Sequence, residues 1–98
     1  MNELIKVEIS ENNEQIVRAR LLHEFLEVKT KFNDWISKRI EKYNFTENID
    51  FEAVTQKKVT AQGNSTEYKD YFLKIDVAKE LSMIENNKKG SAARKYFI

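Results

Sequence analysis

The sequence predicts a single α+β domain, because amphipathic helical segments alternate with strand-like segments along its 98 residues. The clearest helical pattern recurs at spacings of three and four and consists of Phe32, Trp35, Ile36, Ile40 and Tyr43. Segments before and after it are rich in strand-forming residues, and the first of them alternates apolar and polar residues as a half-buried strand does. A chain of this length supports one modest hydrophobic core, so all of these segments are expected to share it.

A second apolar stripe lies just before the first and predicts a helix-turn-helix. It consists of Leu22, Phe25 and Leu26, with Leu21 beside them. The first helix is expected to begin near Arg18 or Ala19 and to end by Val28, and the second to span Lys31–Tyr43 with Thr30 as its N-cap. The second helix of such a pair can enter a DNA major groove.

A hairpin is predicted on each side of the helix pair. The N-terminal hairpin joins Leu4–Ser10 to Gln15–Val17. One side of its first strand is apolar and consists of Ile5, Val7 and Ile9. The second hairpin joins Phe51–Thr60 to Tyr68–Ile75 through a polar loop. Because a hairpin after a helix-turn-helix corresponds to a wing, the sequence predicts a winged-helix-like fold.

Two further helices are predicted toward the C-terminus. Asp76 is the expected N-cap of the first, whose inward face consists of Val77, Ala78, Leu81 and Ile84. The second is expected to start near Ser91 and to span Ala92–Ile98. It stops on three large apolar residues, Tyr96, Phe97 and Ile98. We therefore expect residues 1–98 to be one domain of a longer protein whose next segment continues this helix.

Composition argues against several classes of function. The sequence has no cysteine and one histidine, His23, so neither a disulfide nor a thiolate or histidine metal centre is expected, and His23 is expected to be structural. It contains neither a Gly-rich phosphate loop nor a catalytic motif, so we expect no enzyme and no cofactor. The absence of a long apolar run favours a cytoplasmic protein that does not enter the membrane.

Charge is nearly balanced overall but alternates along the chain. The net charge is +1, yet residues 28–45 carry five bases against two acids, and residues 57–74 carry four against two. Residues 88–98 add four bases and no acid. If folding brings these segments together, they form one basic face suited to nucleic acid. A solvated surface of mixed charge is the alternative explanation for the same pattern.

Helix geometry and charge predict nine residues that contact DNA. Those expected to read base edges in the groove are Lys31, Asn33, Ser37 and Lys38. Those expected to contact phosphates are Lys29, Arg39, Lys42, Lys57 and Lys58, and Lys69 lies near the last two on the hairpin. The alternatives are an ordinary amphipathic helix with a solvated face and a hairpin whose edge lysines prevent aggregation.

The chain also resembles a known family. The run VRARLLHEFLEVKTKFNDWISKRIEKYNF is similar to the AntA/AntB phage antirepressors, and the similarity continues through NIDF, DYFLKIDVAKELSM and GSAARKYFI. It extends over roughly Val17–Ile98. The chain departs from the VSAREL or VNAREL pattern typical of the family, since Arg18 replaces the small polar cap and Leu21 replaces the acid.

The resemblance implies a role in relieving repression of a lysogen, in the cytoplasm of a bacterial host. It also relates the chain to KilA-N and BRO-type viral domains, which are thought to bind DNA. Two partners stay open at this point: duplex DNA of the operator region, and the phage repressor protein itself. Self-association is a further possibility, for which the C-terminal Tyr96, Phe97 and Ile98 are candidates.

Overall fold

The computed structural model describes residues 5–85 and 87–97, apart from the side chains of Arg94, Tyr96 and Phe97. The elements follow the order β1 (Glu8–Ile9), β2 (Gln15–Arg18), α1 (Ala19–Phe25), α2 (Phe32–Tyr43), β3 (Phe51–Val59), β4 (Ser65–Lys74), α3 (Ile75–Ile84) and α4 (Lys88–Phe97). The strands form one antiparallel sheet in the order β1-β2-β4-β3. The predicted α+β class is confirmed, and both predicted hairpins belong to the same sheet.

The apolar stripes of the helices form the core. α1 contributes Leu22, with Leu26 just after it, and α2 contributes Phe32, Trp35 and Ile36. The inward face of α3 is also as predicted, with Val77, Ala78 and Leu81 buried. These side chains pack against one face of the sheet, which supplies Val17, Phe51 and Leu73. Leu21 and Tyr43, at the margins of the predicted stripes, are exposed.

β1 is much shorter than the predicted strand over Leu4–Ser10. Only Glu8 and Ile9 pair with β2. The residues before them lie outside the strand, so their side chains need not alternate between the two faces of the sheet. Ile5 consequently packs in the core, whereas Ile9 is 61% exposed. The prediction that these two residues share one side was therefore wrong, and Leu4 lies outside the described residues.

The hairpin of β3 and β4 extends beyond the rest of the sheet. Its register runs from Phe51 opposite Leu73 to Val59 opposite Ser65. β2 covers β4 only as far as the Arg18–Phe72 pair, because the chain turns into α1 at that point. The hairpin therefore projects past the sheet, and most of its outer residues are exposed.

The start of α1 is capped from a distant strand. Arg18 stands at the N-cap position but makes no capping bond with its side chain. Instead, Oδ1 of Asp70 in β4 accepts the backbone N–H of Arg20 at 3.1 Å and that of Tyr71 at 2.8 Å. Asp70 is only 3% exposed, so this carboxylate replaces water for two backbone donors. The cap missing from the local sequence is thus supplied across the β2–β4 junction.

Two caps predicted from the local sequence were wrong. Lys31, not Thr30, is the N-cap residue of α2, and its side chain makes no capping bond. The backbone carbonyl of Thr30 is bonded to His23 instead, which holds Thr30 one position before the N-cap. Asp76 lies inside the first turn of α3, because Lys74 is still paired in β4 and the helix follows the strand directly.

α4 begins earlier than predicted and packs closely on α3. Oδ1 of Asn87 accepts the backbone N–H of Gly90 at 2.7 Å, which places the helix start at Lys88 rather than near Ser91. A β-carbon at Gly90 would overlap the backbone carbonyl oxygen of Glu85, so this approach requires glycine. The contacts expected of Tyr96, Phe97 and Ile98 lie outside the described residues. Within the described part, no helix has both the length and the apolar character needed to span a membrane.

We predict that the Asp70→Ala substitution lowers the free energy of unfolding by about 1–3 kcal/mol, because it takes this acceptor away from two partly buried backbone N–H groups. Thermal unfolding followed by circular dichroism measures this change. Asp76→Ala is the matched control, since Asp76 is exposed, lies in the first turn of α3 and makes no side-chain bond to another described residue; it should cost about 0.5 kcal/mol through the helix dipole. Equal losses of unfolding free energy in the two variants would contradict the role of Asp70 as the cap of α1.

Candidate nucleic-acid interface

A groove separates α2 from the projecting hairpin. Its walls and floor are formed by Arg20, Asn33, Ser37, Glu67, Tyr68, Lys69 and Tyr71. Asn33 and Ser37 are four residues apart and therefore occupy one flank of α2. Tyr71 closes the inner end of the groove, where its ring lies 6.1 Å from the Phe32 ring. Two of the predicted base-reading residues thus face the hairpin across an open channel.

The orientation of α2 is set by a bond to the end of α3. Oε1 of Glu85 accepts the indole N–H of Trp35 at 3.0 Å and an N–H of the Arg39 guanidinium at 2.8 Å. The Glu85 side chain is 15% exposed, so this carboxylate is largely shielded from water. Since Trp35 and Arg39 lie four residues apart on α2, one acceptor fixes the helix against rotation.

Arg20 lies on the floor of the groove and its side chain is fixed on three sides. Its Nε–H donates to the backbone carbonyl of Lys69 at 2.6 Å. Its guanidinium carbon lies 4.3 Å from the centre of the Phe32 ring and 5.2 Å from that of Tyr68. These contacts follow from the remote cap, because Asp70 holds the backbone of Arg20 beside β4.

The register of the hairpin decides which of its charges face α2. The ring of Tyr71 lies beside Phe32 of α2, and strand alternation places Lys69 and Glu67 on the same face of β4 as Tyr71. Lys57 is directly opposite Glu67 and shares that face, whereas the adjacent Lys58 points to the other side. The two hairpin lysines nominated from the sequence thus project from opposite faces.

The exposed side of α2 carries three stripes. Asn33 and Ser37 form the flank toward the hairpin. The opposite flank is basic and, by helical periodicity, consists of Lys31, Lys38 and Lys42, all exposed. Asp34 and Glu41 lie between the two flanks. Lys29, in the turn before α2, is also exposed.

One nominated residue has a structural partner. The guanidinium of Arg39 is bound to Glu85 and its side chain is 23% exposed, so most of its charge is compensated within the domain. It stays a predicted phosphate contact, but of the nine nominated residues it is the one with an ion pair among the described residues.

His23 joins α1 to the start of α2. Its Nε2 lies 2.7 Å from the backbone carbonyl oxygen of Thr30, and its ring packs 5.6 Å from Phe32 and 5.2 Å from Trp35. This agrees with the structural role expected from the sequence. Nε2 carries the proton in this contact, because a carbonyl oxygen can only accept.

Sequence reasoning missed Arg20 and Tyr68 as parts of the site. Arg20 was assigned only to the start of a helix, and Tyr68 only to a strand. Their contact joins segments almost fifty residues apart, and the bond from Arg20 to Lys69 spans 49 positions. The only local signal is an arginine at a helix start that lacks its own cap, which indicates that another segment must approach there.

Three comparisons with known proteins bear on the chain. A family model described as "AntA/AntB antirepressor" matches residues 17–87, which include α1, α2, the hairpin and α3. No curated protein and no solved structure matches the chain. The family match therefore covers every residue that lines the groove.

We predict that Glu85→Ala lowers the free energy of unfolding by about 1–3 kcal/mol, since it leaves the buried indole N–H of Trp35 without an acceptor. Trp35 is the only tryptophan, so its fluorescence reports the change directly, as a shift of its emission toward longer wavelength. Glu80→Ala removes an exposed carboxylate from α3, the helix that Glu85 follows, and serves as the control. An unchanged emission spectrum in Glu85→Ala would show that this bond does not hold α2.

Proposed function

The chain belongs to the AntA/AntB antirepressor family, and from that premise we propose that it is a phage antirepressor domain that binds duplex DNA. In this proposal it acts in the cytoplasm of a bacterial host and relieves repression of a lysogen. α2 acts as the recognition helix of a winged-helix-like module, and the β3–β4 hairpin acts as its wing. Operator-region DNA is the proposed partner.

The observation that carries the proposal is the groove between α2 and the hairpin. An asparagine amide and a serine hydroxyl, from Asn33 and Ser37, occupy one wall, and both groups can bond base edges. Cationic side chains of Arg20 and Lys69 lie beside them, where a phosphate backbone would run. The polar groups that can bond base edges therefore lie next to cations that can bind phosphates.

The charge stripes of α2 also suit a helix in a major groove. Such a helix has a phosphate backbone on each side and base edges in front of it. The basic flank of Lys31, Lys38 and Lys42 would contact one backbone, which assigns Lys31 and Lys38 to phosphates rather than to the base edges expected from the sequence, and the hairpin cations would contact the other. Asp34, between the flanks, would face the base edges, where a carboxylate can accept the N4 amino group of cytosine.

A different surface favours a second candidate function, binding of the phage repressor protein. A hollow of about 300 Å³ lies on the sheet face opposite to Leu73, with Ile16, Ile49 and Phe72 among its lining residues. Ile49 is 60% exposed. These apolar residues lie among polar ones such as Asn12 and Glu52, and such a mixture is typical of a protein interface. An antirepressor can act by binding the repressor directly. Ile49→Asp should abolish co-purification with the cognate repressor if this surface is used.

We predict that the 98-residue chain binds operator-region duplex more tightly than an unrelated duplex of equal length, with an affinity that falls steeply with salt. Lys57→Gln, which removes a charge from the face toward α2, should weaken binding to both duplexes and reduce the salt slope by about 0.9.

Lys58→Gln is the matched control, because it removes the same charge from the opposite face of the same strand. It should change the affinity less than Lys57→Gln does. Fluorescence anisotropy of labelled duplex across a salt series gives both quantities. No binding at low salt would overturn the DNA proposal and leave the repressor as the target.

A further inference from the structure

Arg20 differs from the other arginines in the described part of the chain. The guanidinium of Arg18 is paired with Glu8 at 2.6 Å, and this pairing lowers the pKa of Glu8 and raises that of Arg18. The guanidinium of Arg39 is paired with Glu85. Arg20 forms no ion pair within residues 5–85 and 87–97, although it is half-buried.

Asp70 is bonded to the backbone of Arg20 and not to its guanidinium. Oδ1 of Asp70 accepts the backbone N–H groups of Arg20 and Tyr71, and no bond joins Asp70 to the Arg20 guanidinium. The other carboxylate of the groove, Glu67, is exposed and lies directly across the hairpin from Lys57. The Arg20 guanidinium therefore has no carboxylate at ion-pair distance within residues 5–85 and 87–97.

The guanidinium is nevertheless rigid. Its Nε–H is bound to the Lys69 carbonyl, and its plane is held by the rings of Phe32 and Tyr68. The two terminal nitrogens, Nη1 and Nη2, make no bond to any described residue. The two free nitrogens form a planar fork that matches an anion with two coplanar oxygens. Because the side chain is already fixed, it loses little conformational entropy on binding.

We propose that Arg20 binds one phosphodiester group of the DNA backbone through Nη1 and Nη2, beside the bases contacted by Asn33 and Ser37. This inference rests on the proposed DNA-binding function and adds a single anchoring phosphate to it. The contact fixes the register of α2 along the duplex, since Arg20 and the two reading residues line the same groove.

The test combines variants with chemically altered DNA. Arg20→Gln removes the charge, Arg20→Lys keeps the charge but loses the fork, and Arg18→Gln removes an equal charge that is already paired. Each is measured against a duplex series in which one phosphate at a time is replaced by a neutral methylphosphonate. Thermal unfolding of each variant establishes that it is folded at the binding temperature.

Arg20→Gln should weaken binding to the unmodified duplex by about ten- to a hundredfold. Arg20→Lys should also weaken binding but leave the salt slope unchanged. One methylphosphonate position should weaken the natural protein and have no added effect on Arg20→Gln, and this loss of additivity identifies the phosphate. Arg18→Gln should stay additive with every position.

Additivity of Arg20→Gln with all positions, or natural affinity in both Arg20 variants, would overturn the anchoring phosphate while the natural protein still binds DNA. Absence of binding by the natural protein to any duplex would instead overturn the proposed function, and the anchoring phosphate with it.

Discussion

The carboxylate of Asp70 is the constraint on which the rest of the groove depends. It accepts the backbone N–H of Arg20, just after the point where β2 ends and α1 begins, and that of Tyr71 in its own strand, so it joins the start of α1 to β4. Because β2 ends at this junction, the outer part of the hairpin extends past the sheet. The same junction places Arg20 against β4. A buried carboxylate is costly unless it is fully bonded, so the two N–H groups and the charge stabilise one another.

A second carboxylate, Glu85, fixes the opposite wall. It bonds Trp35 and Arg39, and it lies at the end of α3, where the close approach of Gly90 brings in α4. The separation of the groove walls is therefore set by interactions of the core rather than by the exposed residues. Asn33 and Ser37 take no part in these interactions, so they are available to bind a ligand.

The sequence was sufficient to predict those elements whose structure follows from hydrophobic periodicity. The stripes of α2 and α3 follow from spacing, because each helix must bury one face. The second hairpin follows from its strand-forming residues and polar loop, although β4 begins at Ser65 rather than Tyr68 and Ile75 belongs to α3. The failures of the sequence have a common cause. The caps expected at Thr30 and Asp76, the face of Ile9 and the role of Arg20 all depend on contacts with another element, and hydrophobic periodicity within one element does not report such contacts. The nominated lysines were found by charge, but only the register separates Lys57 from Lys58.

The central claim is that one groove, between α2 and the hairpin, meets duplex DNA. The most direct measurement is amide chemical-shift mapping by nuclear magnetic resonance during titration with operator-region duplex. The account predicts that perturbed amides cluster at Arg20, at residues 31–38 and at residues 67–71, and that those around Ile49 and Phe72 stay unchanged. Perturbation confined to the hollow around Ile49 and Phe72, or none at all, would contradict it.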